Sequence, residues 1–157
     1  HDHWLLYGLN ELYRLSPQEE YLEHARRIAT TIVESQNLEP RNPAWYGSYY
    51  NPPRSAPTAT RTEGLCAAYY LENDHGDSDR ARKYFRAGRR GMQFQLRTQI
   101  GKSTAMYFAK PQRALGGFTF SLNDPRIRID VVQHNISAML ALRDILSQRQ
   151  NSDGADK

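Results

Sequence analysis

Apolar residues return every three to four positions in two long stretches, the signature of helices that bury one face. The first stretch predicts a helix from Trp4 to Leu15, a turn at Ser16-Pro17-Gln18, and a second helix from Glu19 to about Gln36. Ser16 is placed as an N-cap, with Pro17 at the first helical position and Glu19 completing a capping box. The second stretch predicts helices from Thr60 to Leu71 and from Ser78 to about Arg97, joined through Asn73-Asp74-His75-Gly76-Asp77.

The two stretches repeat each other. Gly8-Leu9 aligns with Gly64-Leu65 and Tyr13 with Tyr69 at a separation of 56. Tyr21-Leu22 aligns with Tyr84-Phe85 and Ala25 with Gly88 at a separation of 63. A third copy opens near Ile129, where Ala138 matches Ala67 and Leu142 matches Leu71 at a separation of 71. It breaks off after Leu146, so residues 1–147 read as one helical-hairpin domain and 148–157 as a disordered polar tail.

In each unit the first helix is small and apolar all round, which marks a buried helix, while the second is amphipathic and Arg-rich, which marks a surface one. The fold class is therefore all-α: antiparallel helical hairpins forming part of an α/α toroid. Two connections, Leu38 to Pro57 and Thr98 to Arg128, far exceed the usual ~4–6 residues. In the second, Met106 to Ala109 and Gly117 to Phe120 are expected to pair as a short β-ribbon around Leu115-Gly116-Gly117.

Both long connections run from the end of an outer helix to the start of the next inner one. The inner-helix N-termini and the long loops should then share one rim. Polar residues cluster there: His1, Asp2 and His3; Arg61 and Glu63; Arg128, Asp130 and His134. Helix N-termini favour anions, and Arg61 and Arg128 are natural clamps for a carboxylate. Trp45, Tyr46, Tyr49, Tyr50 and Phe118 offer flat apolar faces of the kind sugar rings need. Glu63, Asp130, His134 and His3 are the candidates for proton transfer. Each also has an ordinary reading: Asp130 as a cap, Glu63 in a salt bridge, His134 as a core histidine, the aromatics as a plug.

Composition closes other routes. The chain has 157 residues, 39% hydrophobic and 11% aromatic, with no apolar run long enough to span a membrane. Its charge is +4, from 17 Arg and 4 Lys against 17 acidic residues, with both signs interspersed. No nucleic-acid footprint follows from that, and the Arg preference hints at a bacterial source. His1-x-His3 with His134 makes a poor metal set, so neither metal nor cofactor is expected. Cys66, the single cysteine, reads as a packed thiol and fixes no compartment.

The repeating inner/outer hairpins, Tyr7-Gly8-Leu9…Tyr13 followed by Tyr21-Leu22…Ala25, and Gly116-Gly117-Phe118 before the third inner helix resemble the six-hairpin glycosidase and sugar-epimerase superfamily. The resemblance is architectural and covers about Trp4 to Leu146. Together with the anion-favouring rim, it implies a carbohydrate-active domain, the C-terminal part of a toroidal hydrolase, lyase or epimerase acting on an acidic saccharide. A terpenoid-cyclase-like toroid is a weaker alternative, lacking the Asp-rich motif. A non-catalytic helical-repeat module that binds a glycan or a protein is the other alternative. Fewer than three hairpins are present where such a ring uses six. The abrupt start at His1 reads as a piece of a longer chain, and the remaining hairpins or a homo-oligomer are the expected partners.

Overall fold

The computed structural model describes residues 2–155. A single 3-10 turn, Asp2–Trp4, leads into α1 (Leu5–Leu15), which is followed by α2 (Glu19–Glu34). After the first long loop come α3 (Ser55–His75) and α4 (Ser78–Arg97). The second loop holds two single-turn helices, α5 (Lys102–Ala105) and α6 (Pro111–Ala114), and a hairpin of β1 (Thr119–Ser121) and β2 (Asp124–Ile127). The last helix, α7 (Ile129–Ala155), carries on into the polar segment from Gln148.

The helices form two rows. In one row α3 lies between α1 and α7; in the other, α2 packs on α1 and α3, while α4 packs on α3 and α7. The chain is thus mostly helical, with the small apolar helices side by side and the Arg-rich ones behind them. The core runs through Leu6, Leu9, Leu22, Ala25, Leu65, Ala68, Leu71, Tyr84, Phe85, Ala138 and Leu142. Among the described residues, only α3 is buried on nearly every side. The stripe Leu5, Leu12 and Leu15 of α1 and the stripe Ile129, Ile136 and Leu140 of α7 remain exposed.

Glycine sets how closely α1 and α3 approach. A Cβ on Gly64 would stand 2.8 Å from the His3 carbonyl oxygen and 3.1 Å from Leu6 Cδ1. Its repeat counterpart, Gly8, faces open space.

Three local expectations need correction. Helix α3 begins at Ser55, not near Thr60, because Pro57 falls in the first turn, where a missing N–H costs nothing. Thr58, Thr60 and Thr62 therefore lie inside the helix, each hydroxyl donating to a carbonyl three or four residues back. Ser16 does not cap α2: its backbone N–H donates to Leu12 O and closes α1, while Gln18 precedes α2. The ribbon forms between Thr119–Ser121 and Asp124–Ile127, with Thr119 opposite Ile127. Met106 to Ala109 takes no part; instead Gly117 O and Ile100 O exchange backbone bonds with Ile100 N and Gly116 N, at 2.8 and 2.9 Å.

Candidate functional site

The third turn of α3 and the second turn of α7 meet at two ionisable side chains. Nδ1 of His134 lies 3.2 Å from Oε2 of Glu63. Glu63 is almost fully covered, its side chain 6% exposed, whereas His134 keeps 13%. Burial pushes the Glu63 carboxyl above the usual carboxylate range, although hydrogen bonding from Ser137 and the neighbouring His134 pull the other way. A buried carboxyl with raised proton affinity thus faces an imidazole that keeps some exposure.

Two aromatic rings frame this pair. Trp4, 58% exposed, sits with its ring centroid 5.7 Å from that of His134, and His3 stands edge-on to Trp4 at 6.1 Å. Tyr7, on α1, is near enough that the Glu63 charge, after burial, raises its phenol well above the ordinary value. Tyr7, Glu63 and His134 occupy the same position in the three repeats, at separations of 56 and 71. Three parallel inner helices therefore aim equivalent side chains at one place. Motif reading passed over Tyr7; the repeat alignment would have found it.

Asp130 does not join Glu63. One turn before His134 on α7, it accepts two hydrogen bonds from Arg128, at 3.0 and 2.9 Å. Arg128 also lies over the Phe120 ring, 5.5 Å from its centroid, with Arg54 and Arg126 at 5.8 and 5.2 Å. Three guanidiniums thus gather around one aromatic ring ahead of α7.

Arg61 points away from the Glu63 pair, toward the first long loop. It donates to Pro57 O at 3.0 Å and to the Tyr50 hydroxyl at 2.6 Å, and lies over the rings of Tyr49 and Tyr50. The loop presents Tyr50 through a left-handed backbone at φ 69°, which costs ~1–2 kcal/mol for a non-glycine residue. Asn37 offsets that cost by donating to the Tyr50 carbonyl at 2.8 Å. Trp45 and Tyr46 are half-buried in the same loop. Tyr49 and Phe118 are each only 1% exposed, so neither offers a ring face to a ligand. Both pack under loops that close back on the helices, through the bridges Gln36–Tyr49 and Gln99–Phe118.

Further along the same inner helices a cleft of about 290 Å³ opens between α1, α3 and α7, bounded by Tyr7, Asn10, Tyr70 and Ala141. Tyr7 and Cys66 line it and also lie near enough to feel the Glu63 charge. His1, the outermost member of the predicted His cluster, lies outside the described residues. Among the described residues, no group of three or more His, Cys, Asp or Glu side chains could hold a metal ion, and no helix is long and apolar enough to cross a membrane. No family model matches the chain, and neither does any curated protein or solved structure.

Proposed function

We propose that this chain is a carbohydrate-active domain acting on an acidic saccharide, with Glu63 and His134 as its proton-transfer pair. One observation carries the reading: a buried carboxyl with a raised pKa, hydrogen-bonded to a partly open imidazole, beside an exposed indole. Burial that raises a carboxyl's proton affinity suits it to a general-acid role, and the imidazole next to it can take or return a proton. Trp4 supplies the flat face on which a sugar ring stacks. Arg128, now paired with Asp130, provides a guanidinium that a substrate carboxylate engages in place of that side chain. The chemistry is common to hydrolysis, elimination and epimerisation of sugars.

Uronic-acid polymers are the substrates to test, following reducing-end release, unsaturated products and C5 inversion in parallel. Glu63→Gln should remove turnover while the fold and polymer binding persist. Undiminished turnover in that variant sinks the assignment.

A second reading has its own support. The Glu63 carboxylate is already engaged by Ser137 and His134, as in a structural clamp between α3 and α7. A non-catalytic module would bind glycans on an array, release no product, and lose stability but not glycan binding on substitution of Glu63.

A further inference from the structure

Between α2, the start of the inner row and α3 lies an open cavity of about 250 Å³. Every ionisable group on its wall is basic: Arg27 and His24 from α2, Arg61 from α3, and His3. Thr31 and Ser35 add hydroxyls, and Ile28 and Ile32 form an apolar floor.

The repeat shows that this wall departs from a packing surface. At a separation of 63, His24 corresponds to Ala87 and Thr31 to Phe94, both fully buried on α4. On α4 that face is sealed by the first long loop: Gln36 donates to Ala87 O at 2.9 Å, and Gly47 lies directly against the Arg90 carbonyl. Where α4 carries small and aromatic residues that pack, α2 carries an imidazole and a hydroxyl that line a cavity. Arg61 is fixed in advance by the Tyr50 hydroxyl and Pro57 O, which occupy two of its five N–H donors and leave others for a ligand. Among the described residues, Arg27 has no carboxylate or hydrogen-bond partner for its guanidinium.

We infer that this cavity is an oxyanion-binding site, taking the carboxylate of a sugar acid or a phosphate group between Arg27 and Arg61, with His24 as a further donor. Two guanidiniums lining one cavity suit a planar or tetrahedral oxyanion, which each can hold through paired N–H bonds. The apolar floor suits the carbon skeleton that carries the anion. The inference deepens the acidic-saccharide reading and rests on it only for which molecule bears the charge.

The test titrates the chain with glucuronate, inorganic phosphate and neutral glucose, following the His3 and His24 imidazole resonances by NMR and the affinity by calorimetry. Glucuronate or phosphate should bind, glucose should not, and both imidazoles should shift. Arg27→Ala and His24→Ala, each a substitution to a strong helix former on a surface helix, should weaken binding about tenfold. Arg14→Ala, which changes net charge equally but lies outside the cavity, should leave it intact. Glu63→Gln should also bind normally, so loss of turnover there and loss of the anion site are separable results. Preference for glucuronate assigns the site to sugar acids; preference for phosphate keeps the site and withdraws only that assignment. No binding of either anion, equal binding of glucose, or equal weakening by Arg14→Ala overturns the inference.

Discussion

Glu63 and His134 hold equivalent positions in successive repeats, 71 residues apart, and meet at 3.2 Å. Tyr7 is the corresponding residue of the first repeat. A position that would be apolar in a purely structural array carries a phenol, a carboxyl and an imidazole on three adjacent helices. Repetition has been used to bring three different proton-bearing groups together.

The raised Glu63 carboxyl makes stability depend on pH in a definite direction. A group that binds its proton more tightly when folded stabilises the fold fully below its unfolded pKa of ~4.3, and that contribution is lost as pH rises through the higher folded value. Glu63→Gln lacks this dependence. Denaturant unfolding at pH 4 and pH 8 should show the variant gaining on the parent as pH rises; a constant or shrinking difference would contradict the burial argument.

Gly64 and Gly8 should respond with opposite signs to the same substitution. Gly64→Ala forces a Cβ to 2.8 Å from the His3 carbonyl, an overpacking expected to cost ~1–3 kcal/mol. Gly8→Ala meets nothing within 4 Å and should gain ~0.5–1 kcal/mol from helix propensity alone. Paired thermal melts check both, and equal effects would mean that α1 and α3 do not approach as closely as described.

The ion pair at the other end of α3 is structural. Arg26 grips the buried Glu72 carboxylate with two bonds, at 2.7 and 3.0 Å, and Asp77 N–H donates to the same carboxylate at 2.9 Å. Arg26→Ala leaves that charge buried and should cost ~3–5 kcal/mol. Replacing both partners with Met and Leu should recover part of the loss, short of the Asp77 N–H left unpaired, at ~1–3 kcal/mol. Chemical denaturation of the single and double variants decides it.

Cys66 should be silent in the native state. Burial, and then the Glu63 charge, push its thiol up to about 12, and it is only 3% exposed, at the wall of the cleft between α1, α3 and α7. A thiol reagent at pH 8 should modify it only in denaturant; rapid modification of the native chain would show that α3 is open there.

Periodicity made most of the helices legible, because the apolar stripes of α2 and α4 are strong and their repeats reinforce one another. It misplaced the start of α3, since Pro57 looks like a boundary although a proline fits the first helical turn without loss. It misplaced the ribbon because Gly116-Gly117 is the louder turn signal. Gly116 does turn the chain with φ 83°, but to seat Gly117 on Ile100, and the strands close around Leu122-Asn123 instead. The rim residues were legible as a group from topology. Their pairing was not: Arg128 takes Asp130 two residues away, and only the folded crossing of α3 and α7 delivers Glu63 to His134. Tyr49 and Phe118 look in sequence like ligand platforms, because a pattern cannot tell a ring under a loop from a ring on top of one.

The central position of α3 also bears on how such a chain can change. Contacts with four other helices leave α3 almost no residue free to vary without disturbing a neighbour. New specificity must then be written elsewhere, on the open faces of α1, α2 and α7 and in the two long loops. The helix that contributes Glu63 is the least editable part of the molecule, and the surfaces that would choose its ligand are the most.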